Sequence, residues 1–363
     1  MTPTLSRYLM RVFITNLLFM AFILMGVIWL FDVAELLRRA AKVDGVPLSI
    51  LMQMGLLKLP DITQTLFPFI ILFASLFTFW QLARRSELVV LRAAGVSAWQ
   101  FLRPILLVGA LAGVFVVTIL NPLGALFFQK YNNLDNKFLG KGAKPMIALF
   151  EEGLWLKQAT NDGYAIVHAE KVIMPDWRLN GVFALFFNQN NEFQERIDAP
   201  EARLKDKEWV FKNSLLSSDQ TALPVQTYFR LPTNLTPREI ENSFAKPETM
   251  GFWSLPHFIQ TLERTGFDST TLRIHFHGLL SMPALCVAMI LLASLVSLRP
   301  QRGGGTFFYI IGGVVIGFGV FFLSSLLQAL GASHQVPVFL AAWTPALLSI
   351  LIGSTVLLSL EDG

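Results

Sequence analysis

Six uncharged apolar runs, each long enough to cross a bilayer, constrain this chain more than any other feature. A span needs about 17–25 apolar residues. The runs are Val12–Phe31, about Leu66–Ala83, Pro104–Phe128, Ile274–Leu298, about Thr306–Leu327 and about Gln335–Leu360. The second extends back toward Gly55, with Lys58, Pro60 and Asp61 near one interface. The first is too long for a signal-peptide core and lacks a small-x-small cleavage site, so it reads as a permanent span. Of 363 residues, 53% are hydrophobic and 15% charged, against about 25% charged in a soluble domain. That composition excludes a cytosolic enzyme and a disordered chain. With Cys286 the single cysteine, it excludes a disulfide scaffold as well.

Between the third and fourth runs the composition changes. Leu123 to Asp268 carries 16 Lys/Arg and 18 Asp/Glu, the density of a soluble protein. Short alternating stretches recur at Gly153–Lys157, Tyr164–His168, Gly181–Phe187, Trp209–Leu216 and Pro224–Leu231. Asn, Asp, Pro and Gly punctuate them, which predicts an all-β sandwich or jellyroll-like insert. Helical periodicity near Phe252–Arg264 returns the chain to the membrane. The expected fold is an α-helical polytopic membrane protein, three spans plus three, with an inserted all-β domain. Residues 1–128 hold spans one to three, 129–268 the β domain and 269–363 spans four to six.

Basic residues in short loops set topology. Arg7 and Arg11 precede span one, Arg84, Arg85, Arg92 and Arg103 lie between spans two and three, and Arg299 and Arg302 lie between spans four and five. All eight fall on one side, which reads as cytoplasmic. Both termini then lie in the cytoplasm and the β domain outside it.

Arg38, Arg39 and Lys42 break this pattern by following span one on the outer side, where Lys130, Lys137, Arg264 and Arg273 also lie. One reading is an anionic headgroup gripped at the outer leaflet by guanidinium groups. The other is snorkelling and local pairing with Asp32, Glu35 or Asp44.

The loop between spans two and three reads Arg85-Ser86-Glu87-Leu88-Val89-Val90-Leu91-Arg92-Ala93-Ala94-Gly95. Ser86 suits an N-cap and Gly95 a C-terminal stop. Leu88, Val90 and Leu91 give a short helix over about 84–95 an apolar face, with Glu87 and Arg92 as polar handles. Such a helix fits a groove on a partner, or rests on lipid as an interfacial helix.

Chemistry-bearing motifs are absent from the sequence. It has no phosphate-binding G-x-x-x-x-G-K-[ST] loop, and Gly303-Gly304-Gly305 is followed by Thr306 without a lysine. Any ATP-driven work is therefore expected from a separate subunit. His275 and His277 are two apart and do not share a helix face, so no metal site and no catalytic group are assigned. The spans are almost free of ionisable residues, which argues against a proton-coupled carrier.

The coupling segment Arg85–Gly95 resembles that of the lipopolysaccharide export permeases of the YjgP/YjgQ (LptF/LptG) type, its G-type members most closely. Gly153-Leu154-Trp155-Leu156-Lys157, Asn234-Leu235-Thr236-Pro237 and Leu66-Phe67-Pro68 resemble segments of the same family. The likeness covers essentially the whole chain.

The resemblance implies a heterodimer with an F-type subunit, two copies of a cytoplasmic ATPase that uses ATP and Mg, and an LptC-like accessory subunit. No cofactor bound by this chain and no nucleic-acid partner are expected. It also implies lipopolysaccharide as cargo, an inner-membrane location and a periplasmic β-jellyroll. Glu87 corresponds to a position facing the ATPase, with Arg85, Leu88, Leu91 and Arg92 beside it. Arg38 and Arg39 correspond to a basic pair facing lipid A phosphates or core sugars, with Lys42 and Arg273 nearby. The neighbouring alternatives are an F-type subunit, an exporter of another anionic glycolipid, a secondary lipid carrier and a membrane-anchored assembly protein.

Overall fold

A computed structural model describes residues 3–43, 46–139, 146–150, 153–160, 163–173, 177–205, 208–218, 221–222, 226–233, 249–265, 268–297 and 306–362. Asp44, Asn234–Pro237, Arg299, Arg302 and Gly303–Gly305 lie outside the described residues, as does the side chain of Arg92.

The chain divides into two compact units. The first is helical: α1 (Pro3–Ala40), α2 (Leu48–Arg84), α3 (Glu87–Ala93), α4 (Ala98–Phe115), a π-turn (Val116–Leu120), α5 (Asn121–Phe138), α7 (Thr270–Ser297), α8 (Thr306–Ala332) and α9 (Val338–Asp362). Six helical segments among the described residues are long and apolar enough to cross a membrane, as expected. The third continues to Phe138 rather than ending near Phe128. Its last turns are polar except for one face, where Tyr131 and Leu139 pack with Leu36 of α1 and with Leu51 and Met54 of α2.

Lipid offers no hydrophobic drive for helices to associate, so close packing and buried polar contacts hold a bundle like this together. The Nδ2 of Asn16 in α1 donates to Thr78 Oγ1 and Gln81 Oε1 of α2, both at 3.0 Å. A Cβ at Gly113 of α4 would come within 2.6 Å of the Pro283 backbone in α7, so only glycine permits this crossing. At the π-turn, the Thr118 carbonyl accepts the Trp253 indole N–H at 3.3 Å. The next residue along α5 after Leu120, Asn121, donates to Gln64 of α2 at 2.9 Å and accepts the Phe252 N–H at 2.6 Å.

The second unit contains β1 (Met146–Phe150), β2 (Gly153–Thr160), β3 (Gly163–Ile173), β4 (Arg178–Asn188), β5 (Phe193–Lys205), β6 (Glu208–Ser218), β7 (Thr221–Ala222), β8 (Gln226–Pro232) and α6 (Leu255–Thr265). The strands form one antiparallel sheet in sequential order, except that β8 pairs with β6. Leu156, Val167, Ala184 and Ile197 lie opposite one another across four strands and are all buried. On the other face, Trp155, His168 and Phe183 contact ring to ring, and the Arg196 guanidinium sits 4.8 Å from the Phe183 ring.

Three strands were not visible in the sequence: β1, β5 and the two-residue β7. Strand β5 buries Ile197 and Ala199, then Ala202, so its alternation slips by one at Pro200. Pairing to β6 is interrupted there, between Asp198↔Leu215 and Glu201↔Lys212, with Asn213 at φ +51°. Proline inside a sheet belongs at such an irregularity. The slip, and six charged residues, hid the strand.

Candidate functional site

Two polar clusters lie at opposite ends of α1. The first joins the C-terminal end of α1 to α2 and α5. Arg38 makes a fork to Glu35, with Nε and Nη2 each 2.8 Å from a carboxylate oxygen, and its side chain is 72% exposed. Arg39 turns the other way. Its Nη2 lies 2.6 Å from Asp135 Oδ1, and its Nη1 donates to the Tyr131 hydroxyl at 3.4 Å. Asp32 takes Lys58 of α2 at 2.5 Å. The Asp32 side chain is 9% exposed, and its Oδ2 has no hydrogen-bond partner among the described residues. Lys58 Nζ also sits 5.8 Å from the Tyr131 ring centroid.

The predicted basic pair is thus divided. Arg38 presents its charge outward beside Glu35, while Arg39 is committed to a link between α1 and α5. Lys42 is exposed just past α1, and Arg273 is exposed in the first turn of α7, outside this cluster. Asp135 and Tyr131 were not identified from the sequence as Arg39's partners. The available signal was their i, i+4 spacing on one face of the helix that closes span three.

The second cluster surrounds α3. The residue before it, Ser86, has φ +59°, in the left-handed region rather than the extended form usual at an N-cap. Gly95 is the predicted stop. It has φ +75°, and the Val96 N–H returns to the Leu91 carbonyl at 3.1 Å, the six-to-one bond of a Schellman ending. Ser97 then opens α4 with a reciprocal capping box to Gln100. Gly95 and Ser97 separate this seven-residue helix from α4, and Ser86 separates it from α2.

On α3, Leu88 is buried and Leu91 half-buried, whereas Val89 and Val90 are 68% and 66% exposed. The outward apolar surface therefore includes Val89, which the sequence reading left out, and loses Leu88 to the interior. The single Tyr8 hydroxyl proton is shared between the two Glu87 carboxylate oxygens, each 3.0 Å from the hydroxyl, and Arg85 Nη1 lies 3.9 Å away. No sequence signal pointed to Tyr8, which is 79 residues from Glu87.

Apolar side chains stand open along two spans. Phe22 and Phe31 of α1 and Phe318 and Phe322 of α8 are each more than 60% exposed. A partly open cavity of about 230 Å³ lies among α2, α7, α8 and α9, lined by Gln64, Ser281 and Ser324 together with Phe69, Met282 and Phe321. Its volume is below the roughly 300–1,000 Å³ usual for drug-sized ligands. Among the described residues, no group of three or more His, Cys, Asp or Glu side chains is placed to hold a metal ion.

Residues 7–359 match the family model for the lipopolysaccharide export system permease LptF/LptG. The chain belongs to this permease family. It is 23% identical to lipopolysaccharide export system permease protein LptG of Escherichia coli K12 over 354 residues, 96% of each chain. It is 25% identical to the LptG protein of Haemophilus influenzae over 305 residues, 82% of each chain. With its six apolar helices and inserted β domain, the permease is a multi-pass inner-membrane protein. Its family role is that of a permease in lipopolysaccharide export.

Proposed function

We propose that this permease is the G-type half of an ATP-driven exporter that lifts lipopolysaccharide from the outer leaflet of the inner membrane. In this reading it pairs with an F-type subunit, receives two copies of a cytoplasmic ATPase that uses ATP and Mg, and works with an LptC-like subunit. Its β domain is periplasmic, passing the lipid to a bridge toward the outer membrane, and both termini are cytoplasmic.

The observation that carries the reading is α3. This isolated helix offers Val89 and Val90 outward, with the half-buried Glu87 beside them, on the side where Arg7, Arg11, Arg84, Arg85 and Arg103 collect. Positive loops favour the cytoplasm, and a short helix between spans suits a groove on a partner. The same orientation puts Arg38 at the outer leaflet, beside lipid phosphates.

The physics sets the route. Each buried CH₂ is worth about 0.8 kcal/mol, so one twelve-carbon chain resists transfer to water by roughly 10 kcal/mol. Several chains cannot cross bare water, so an apolar surface must replace the bilayer around them. The open Phe faces of α1 and α8 supply it, closed by the F-type subunit. ATP-driven closure then pushes the lipid upward.

The test is purification of the full permease complex from cells carrying Glu87→Lys, with the ATPase quantified and lipopolysaccharide release measured. Loss of the ATPase and of release is expected. Intact ATPase binding with normal export rejects the docking role of α3. Labelling of the β insert from the cytoplasmic side alone rejects the orientation.

A further inference from the structure

We infer that Tyr8 is a positioning residue for Glu87, tying α3 to α1 so that ATPase-driven movement of α3 is passed directly into span one. The inference rests on the reading of α3 as the docking helix and goes beyond it.

Four observations carry it. The Tyr8 hydroxyl lies 3.0 Å from each oxygen of the Glu87 carboxylate, so one donor fixes the orientation of the whole group. Tyr8 stands next to Leu9 and one turn or so before Phe13, both with 0% exposure, so its backbone is anchored in the bundle. Leu88, the residue after Glu87, is buried. The docking helix therefore has an apolar anchor at Leu88 and a polar one at Tyr8, while Val89 and Val90 stay open. Finally, α1 runs from Pro3 to Ala40 as one helix. From Tyr8 to Arg39 it spans roughly 45 Å at 1.5 Å per residue.

The consequence is a second line of transmission. Helix α3 reaches α2 through the short Arg85–Ser86 link, and α2 contains Pro60 and Pro68. Through the Tyr8 hydroxyl it reaches α1, which ends in the Asp32, Arg38 and Arg39 cluster.

Tyr8→Phe removes the hydroxyl and keeps the ring, so the bundle is undisturbed. It is to be tested in the complete complex reconstituted in nanodiscs with its ATPase, alongside Glu87→Gln and the double variant. Two quantities are read: the ATPase concentration giving half-maximal association, and ATP hydrolysed per lipid released. Loss of one solvent-exposed hydrogen bond predicts about three- to tenfold weaker association in Tyr8→Phe. More ATP should be consumed per lipid. In the Glu87→Gln background Tyr8→Phe should add little, because the two residues act as one unit. Unchanged association and ATP-to-lipid ratio in Tyr8→Phe overturns the inference, as does full additivity of the two substitutions. If the Glu87→Lys complex also binds ATPase normally, the docking reading itself has failed. If that variant loses the ATPase while Tyr8→Phe behaves as wild type, only the positioning role is rejected.

Discussion

Arg39 reaches across from α1 to Asp135 of α5 at 2.6 Å, while its neighbour Arg38 forks onto Glu35 of its own helix. One step along a helix rotates a side chain by about 100°, so two adjacent arginines serve different ends.

Charge reversal should therefore separate them. Arg38→Glu should lower lipid-stimulated ATPase activity severalfold and leave thermal stability unchanged, because its ion pair is exposed and of little energetic weight. Arg39→Glu places a like charge against Asp135 and should cost about 1 kcal/mol of stability after allowance for solvent screening. Asp135→Arg in the same chain should recover it. Melting curves and ATPase stimulation with lipopolysaccharide check both, and equal loss of stimulation without destabilisation in Arg39→Glu would contradict the division.

The pair between Asp32 and Lys58 has a different energetic character, because Asp32 is nearly inaccessible. Breaking a buried pair from one side strands a charge and costs about 3–5 kcal/mol. Lys58→Met should destabilise by an amount toward the lower end of that range, since Lys58 is itself 30% exposed. Adding Asp32→Asn should restore most of the loss. Thermal unfolding in nanodiscs of the two variants, compared with wild type, reads the coupling.

Helix α3 should show a divided response. Val90→Asp keeps the fold and puts a carboxylate on the exposed apolar surface, so ATPase co-purification should fall at least tenfold with no shift in melting. Leu88→Ala removes a buried side chain and should cost about 2 kcal/mol or more. The reverse pattern, with Val90→Asp neutral and Leu88→Ala affecting ATPase binding alone, would show that the other face docks.

In the β unit, the Arg203 guanidinium, 2.6 Å from Glu201, holds that carboxyl below its ordinary value of 4.5. A depressed folded-state value means that the pair contributes above the unfolded value and is lost as pH falls through the folded one. Wild type should melt slightly above Arg203→Met at pH 6, and the gap should close toward pH 3. A gap that does not narrow at all between pH 6 and pH 3 would assign Arg203 a packing role instead.

The sequence alone determined the membrane architecture, because a run of about twenty uncharged apolar residues has few stable places outside a bilayer and the compositional break after Phe128 marks the insert. It also determined the existence of α3 and its stop at Gly95, since capping and left-handed glycines are local chemistry. Asp32–Lys58, Arg39–Asp135 and Tyr8–Glu87 were decided by the tertiary structure, being contacts across 26, 96 and 79 residues respectively. No local pattern encodes such contacts. They depend on which faces two helices turn toward each other, and in lipid that is fixed by close packing at points such as Gly113 against Pro283. The slip at Pro200 in β5 is of the same kind: the alternation makes sense only once the strands on either side supply its register.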